Sequence, residues 1–547
     1  MLDPEYLDRA GDLVAAVYGE IESDMLAHLC RVLLDEGFEA VGQRGLTALN
    51  LLAQGQGAAL LGFIEAHRSE VNEAVARTVE DAVERGDRDD ARRLGVDAPL
   101  VASLPGRPRQ VAMTAQGIAA ILERDNVEMA AGALGLWNRC VAEAVTKVNT
   151  GAETAERAVH GAVRRMMREG ISTVTYRNAE TGRQTVTNRI DVAVRRHVRT
   201  QLSQDGMRRT LDVCRAAGAR LVEVSSHSGA RPSHAKWQGR VYSLDGDVTV
   251  DGKRYRDFYR ETGYGRVDGL GGANCRHSFG PWLPGTPRMY SQNPDHPSGL
   301  PSDEVYRLVH GQRRRERGIR QTKRELAGAK LCYERSGEIG DLTEVLRLQD
   351  ELRRRQADLR EFISGANAKG SAPVLQRAPS REWAGDMPRI TLSVSAQSRR
   401  RAREALALKE ECSKKRLPVY DDGPLGAVAR RAYGKYGKED GYAVVAHGRP
   451  DSVILLGSRS DHATLASIIR ARKDYEPGTP IRLLACSTGR QDGNAPCVAQ
   501  RLADELGVDV TAPDGPLWVY SDGTLTIGAE KGHNTGRFIT FHPRGQE

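Results

Sequence analysis

Several features are scarce in this chain of 547 residues, and each scarcity excludes something. No run of eighteen apolar residues occurs, so no transmembrane helix and no membrane partner is expected. The first residues, MLDPEYLDRAGDL, are acidic and hold no apolar stretch of the kind a secretory signal needs. Eight cysteines are scattered at 30, 140, 214, 275, 332, 412, 486 and 497 without one CxxC pair. That pattern reads as reduced thiols, not as a disulfide framework. Neither Walker spacing nor GxGxxG after a strand is present, because the glycine-rich GYGRVDGLGG fits neither, so no nucleotide site and no cofactor is expected. No internal repeat is found. Aromatics are 5% and mean hydropathy is −0.50, which describes a polar, helix-leaning, soluble protein.

The length allows three or four domains. Leu7, Ala10, Val14, Val17 and Ile21, continued by Met25 and Leu29, follow the 3-4 spacing of an amphipathic helix. Further helices are expected near 46–95, 114–147 and 152–169, with Gly170 as a stop. Two β-rich runs flanking NAETGR predict a hairpin, and Asn188 is the expected cap of a long helix over 189–217. Two charged helices near 303–335 and 341–363 predict an antiparallel pair, followed by a Gly- and Pro-bearing linker. From 389 onward short apolar strands alternate with helices, the texture of an α/β domain. The expected fold class is multidomain, a mainly α-helical N-terminal part with a small α+β module, then a C-terminal α/β domain. The divisions are a helical domain 1–150, an α+β module 151–300, a basic helical hairpin 301–365, a linker 366–388 and an α/β domain 389–547.

Charge is unevenly placed. Residues 301–420 carry 27 Lys and Arg against 17 Asp and Glu, a balance of +10 in a chain of net charge +8. Such a block, with Arg313, Arg314, Arg315, Arg353, Arg354 and Arg355, points to a polyanion such as packaged double-stranded DNA. A solvated helical face is the plainer alternative.

Two constellations carry possible chemistry. The first gathers His227, His234, Cys275 and His277 with Trp237 and Trp282 in turn-rich sequence. Imidazole and thiolate are the usual ligands of Zn²⁺, and Cys275 and His277, two apart in an extended segment, face one side. The spacing matches no standard zinc pattern, so no metal is expected; hydrogen bonding around a small tryptophan core, or a histidine acting as a base, are the other readings. The second pairs His447 in GYAVVAHG with Cys486 in IRLLACSTG, each just past an apolar strand. Functional groups gather at the carboxyl ends of parallel strands. There an imidazole can activate a thiol, with backbone N–H groups near Gly448 or Gly489 supporting an oxyanion. The alternative is an inert cysteine at a strand end and a histidine satisfying a turn.

The words SSHSGARPSHAKWQGRVYSL, then GGANCRHSFGPWLPG, resemble the signature region of the tailed-phage minor capsid protein 2 family, relatives of the Mu-type head morphogenesis proteins. The resemblance extends over about residues 1–365. It implies a virion component made in the host cytoplasm, placed near the portal in several copies, with portal and other capsid proteins as partners. The second constellation is similar to the caspase-like cysteine peptidases over about 430–530, which implies His447 as base and Cys486 as nucleophile. The interval of 39 residues between them is short for that superfamily, and no acidic specificity pocket is visible. The same stretch resembles C-terminal domains of bacterial polymorphic toxins. The functional expectation is a minor capsid protein carrying a cysteine-peptidase-like or toxin-like effector delivered with the genome. The alternatives are a purely structural protein with an inert binding domain, or a capsid maturation protease.

Overall fold

Leu7, Val14, Ile21, Met25 and Leu29, the residues of the N-terminal stripe, are buried in the computed structural model. It describes residues 1–39, 52, 54–150, 153–177, 184–272, 275–292, 294–382, 392, 394–436, 441–491 and 495–544. Leu7 sits on a short helix Pro4–Arg9, and the rest of the stripe runs along helix Asp12–Glu39 and packs against helices Arg68–Leu94, Arg107–Asn149, Ala155–Glu169 and Ile190–Ala216. One apolar core runs from Leu2 to Cys332, so helix Ser302–Ser336 belongs to it as well. The expected divisions at 150 and 300 therefore do not separate independent cores. The sequence distributes the apolar faces, but only folding shows which faces meet.

Strand β1 (Ser172–Arg177) pairs with β2 (Gln184–Arg189) as the expected hairpin; its NAETGR turn lies outside the described residues. The hairpin presses on helix Arg107–Asn149 at Gly132, where a Cβ would lie 2.4 Å from the Ser172 carbonyl. Asn188 is not a helix cap. It pairs with Thr173 inside the hairpin, and Arg189 takes the cap position without capping the helix through its side chain. Gly170 and Gly218 adopt φ of +65° and +64°, ending their helices as the left-handed region allows.

The α+β module is a three-stranded antiparallel sheet, with β3 (Leu221–Val224) between β4 (Val241–Ser243) and β7 (Phe279–Trp282). A hairpin of β5 (Val248–Val250) and β6 (Lys253–Tyr255) and a short helix Phe258–Thr262 complete it. Successive residues of a strand face opposite sides. Val222 and Val224 accordingly pack with Trp237, Phe258 and helix residues Met207 and Cys214, while Leu221 packs with Tyr255 and Trp282. Trp237 and Trp282 thus belong to two clusters and not to one shared tryptophan core.

Helices Ser302–Ser336 and Ile339–Asn367 form the expected antiparallel pair, turning at Gly337 with φ +65°. The segment expected as a linker does not run free over its described part, 366–382. Leu375 is buried with Leu308 and Ala366. Gln312 donates to the Gln376 carbonyl at 2.7 Å, and Arg381 donates to Asp8 at 3.0 Å.

In the C-terminal domain β8 (Tyr442–Val445), β12 (Ile481–Leu484) and β13 (Val510–Pro513) are parallel, in the order β16-β13-β12-β8, with β16 (Phe538–Phe541) antiparallel to β13. Val444, Leu483 and Ala512 face helices His462–Ala471 and Val498–Leu506. Ala443, Val445 and Leu484 face helix Pro424–Tyr436 on the other side. The result is a three-layer α/β unit. A meander of β9 (His447–Arg449), β10 (Ser452–Leu455) and β11 (Ser458–Ser460), and a hairpin of β14 (Leu517–Val519) and β15 (Leu525–Ile527), flank it. Helix Ala396–Ser413 joins the two parts: Ala402 packs on Leu342 and Leu346, while Leu408 and Cys412 enter the C-terminal core.

Candidate functional site

The antiparallel register of β3 and β7 builds the first constellation. Val224 lies opposite Phe279, so the chain leaving β3 meets the chain entering β7. Ser225 and Ser278 lock this crossing, with Ser225 N–H donating to the Ser278 carbonyl at 2.8 Å and Ser278 N–H to Ser225 Oγ at 2.9 Å. His227 and His277 therefore stack, with ring centroids 4.5 Å apart. The short helix Pro232–Ala235 carries His234 over the same spot. Cys275 Sγ lies 3.7 Å from His277 Nδ1 and 3.9 Å from His234 Nδ1. His234, Cys275 and His277 are all buried and each presents a ligand atom within 4.8 Å of the others. His227 stacks beside this trio and is not part of it.

The protonation states follow from the surroundings. Burial first, then the repulsion a second imidazolium beside His227 or His234 would meet and the charge of Arg276, holds His277 well below the ordinary histidine range. Burial, then Arg276, lowers His227 to about 4. Burial lowers His234 too, and raises the Cys275 thiol. The rings are thus neutral near pH 7.

The three histidines open on a cavity of about 600 Å³, lined also by His310, Arg276 and Arg313 among others. Asp8 answers this positive wall. Its carboxylate lies 2.8 Å from Arg313, 3.0 Å from Arg381 and 3.7 Å from both Arg199 and Arg276. Burial raises its pKa, but the four guanidiniums overcome that and hold it well below the usual carboxylate range. Nothing in the N-terminal sequence singled out Asp8, because its partners come from four distant segments.

Parallel register builds the second constellation. Val445 of β8 pairs with Leu484 of β12, and His447 and Cys486 each lie two residues further on. The backbones touch there: a Cβ on Gly448 would lie 2.7 Å from the Cys486 carbonyl oxygen. The two side chains do not hydrogen-bond to each other. His447 is half exposed, with Nε2 3.7 Å from Asp421 Oδ2. Cys486 Sγ accepts a hydrogen bond from Leu517 N–H at 3.3 Å. Among the eight cysteines Cys486 alone is not buried. Ser487, the next residue, takes a left-handed φ of +56°, uncommon for a side chain. Gly489 is not a free oxyanion donor, since its N–H is spent on the Pro513 carbonyl at 2.9 Å. Asp421 was missed in the sequence. It opens DDGP ahead of helix Pro424–Tyr436 and caps that turn, accepting from Gly423 N–H and Gly426 N–H at 3.0 and 2.7 Å. A cleft of about 520 Å³ beside Gly448 and Ser487 is lined by Arg449, Arg459, Arg490 and Arg501.

The arginines of the helical pair divide. Arg313 pairs with Asp8, Arg315 with Asp358 at 2.9 Å, Arg353 with Asp350, and Arg355 with Glu351 at 2.7 Å. Arg314 and Arg354 are exposed and make no ion pair among the described residues.

A family described as Phage minor capsid protein 2 matches residues 2–364, two-thirds of the chain and all of the first constellation. The chain belongs to that family. This minor capsid protein is accordingly a structural protein of a bacteriophage virion, with other capsid proteins as its partners. No helix among the described residues is long and apolar enough to cross a membrane. Residues 423–527 match a second family, described as Domain of unknown function (DUF8616), which covers His447 and Cys486. No curated protein and no solved structure matches the chain.

Proposed function

We propose that this minor capsid protein acts in head morphogenesis near the portal and carries in its C-terminal domain a caspase-like, thiol-dependent effector delivered with the genome. The observation that carries the enzymatic part is the β8–β12 register, which brings His447 and Cys486 to neighbouring strand ends with Asp421 beside the imidazole. Asp421 would orient His447 as the third member of a Cys-His-Asp set, and the Leu517 backbone holds the Cys486 sulfur in place. Exposed Arg314 and Arg354 on the helical pair fit contact with packaged DNA. The second reading, an inert domain that only binds a partner, is favoured by the absence of a His447–Cys486 hydrogen bond.

The test is the rate at which an iodoacetamide probe alkylates Cys486 in the full chain at pH 7, read by peptide mapping. Seven of the cysteines are buried, so the Cys486 peptide carries the signal. Activation predicts a rate at least about tenfold lower in His447→Ala and a smaller loss in Asp421→Asn. Equal rates in wild type and both variants would leave the inert reading standing. Cross-linking of assembled heads, read by mass spectrometry, tests the position: cross-links to the portal are expected, and links to the capsid lattice alone would refute it.

A further inference from the structure

The trio of His234, Cys275 and His277 is short of hydrogen-bond donors. Gln238 Oε1 accepts from His227 backbone N–H at 3.1 Å, which fixes that atom as the amide oxygen. It also lies 2.9 Å from His277 Nε2, so His277 Nε2 must carry the proton and donate. His234 Nε2 lies 3.1 Å from the Asp268 backbone carbonyl, which can only accept, so this ring is protonated at Nε2 as well. With each Nε2 engaged by an acceptor, Nδ1 is the nitrogen that each ring turns inward. Both point at one sulfur, Cys275 Sγ, at 3.7 and 3.9 Å. A thiol has one proton and can serve one of them. In a pocket where His234 and Cys275 are 2% exposed and His277 1%, the other nitrogen is left without a donor.

A metal cation resolves the deficit. We infer that His234 Nδ1, Cys275 Sγ and His277 Nδ1 bind a divalent transition metal of the zinc class. Zinc bonds of about 2.3 Å to sulfur and about 2.0–2.1 Å to nitrogen, at tetrahedral angles, give an S···N edge of about 3.6 Å. The two observed separations lie close to that edge. One thiolate and two imidazoles are a soft donor set, suited to Zn²⁺ or Co²⁺ and unsuited to Mg²⁺ or Ca²⁺. Gln238 and Asp268 hold the outer nitrogens as second partners of metal-bound histidines do. Binding displaces the Cys275 thiol proton to solvent. Three protein ligands leave a fourth position, and His234 and His277 line the 600 Å³ cavity from which a water or an oxyanion can reach it. The segment spacing concealed this site because its ligands come from a short helix and a strand entry joined only by the sheet.

The full chain, prepared without a histidine tag and stripped with chelator, is titrated with Co²⁺. One equivalent is expected to raise a thiolate-to-cobalt charge-transfer band in the near ultraviolet together with intense tetrahedral d–d bands. Elemental analysis of unstripped protein is expected to give about one zinc per chain, at least tenfold less in Cys275→Ser, and no change in Cys412→Ser. A wild-type titration without the charge-transfer band overturns the proposal, whatever the folding of the variants. Metal retained in Cys275→Ser also overturns it. That result would assign the ion elsewhere, for example to Glu20, His67 and Glu70, whose ligand atoms also converge.

Discussion

Asp8→Asn removes one negative charge from among four arginines. Arg199, Arg276, Arg313 and Arg381 lie 2.8–3.7 Å from its carboxylate, which is 21% exposed. Taking one partner from a buried charge pair costs about 3–5 kcal/mol, because the remaining charges stay desolvated without compensation. Partial exposure and the acceptor retained by asparagine favour the lower end, about 3 kcal/mol. The folded pKa of Asp8 is depressed, so its contribution is fully present above the unfolded value of about 3.9 and is lost only as pH falls below that through the folded pKa. The whole difference is therefore visible at pH 7. Urea denaturation of the full chain, read at the first transition, measures it. Adding Arg313→Gln removes one surplus positive charge and is expected to restore about 1 kcal/mol or more, a coupling that independent sites would not show. Arg381 donates to Asp8 from the packed segment 366–382, so Asp8→Asn is also expected to speed tryptic cleavage after Arg377 and Arg381. A stability within about 0.5 kcal/mol of wild type, with unchanged cleavage, would refute the charge-compensation reasoning.

Other outcomes follow from the same contacts. Gly448→Ala puts a Cβ 2.5 Å from Thr488 Cγ2 and 2.7 Å from the Cys486 carbonyl, so a loss of about 1–3 kcal/mol is expected, and unaltered denaturation would count against the strand contact. His227 takes a proton at about 4 when folded and at about 6.5 when unfolded, so its contribution to stability is lost as pH falls across that window. The slope of stability against pH between 7 and 5 should be shallower in His227→Gln, and identical slopes would refute the desolvation account. Replacing Arg314 and Arg354 by Glu should weaken duplex-DNA binding uniformly across sequences and flatten its salt dependence by about one logarithmic unit per lost phosphate contact. Wild-type binding insensitive to salt would remove the DNA role.

The local structure was largely legible. The stripe from Leu7 to Leu29, the stops at Gly170 and Gly218, and the strand-and-helix alternation after 440 all reflect short-range rules of period and backbone freedom. Cys275 Sγ and His277 Nδ1, two residues apart in the chain, lie 3.7 Å from each other. The Asn188 cap failed because strand pairing with Thr173 outranks a local preference. The linker failed because polar, glycine-bearing sequence does not reveal that Leu375 and Arg381 have partners on other helices.

What the sequence by itself determined is the family, through words between His227 and Trp282, the absence of a long apolar span, and the alternating texture of the C-terminal domain. Only the tertiary structure decided which chemistry-bearing side chains meet. Asp8 finds its arginines across hundreds of residues, and Asp421 finds His447 across a helix and strand β8. His234 and His277 turn two ring nitrogens onto Cys275, because sheet register joins segments that spacing keeps apart. Periodicity is a property of neighbours in the chain, whereas charge compensation and ligand geometry depend on distances that exist only once the chain has folded.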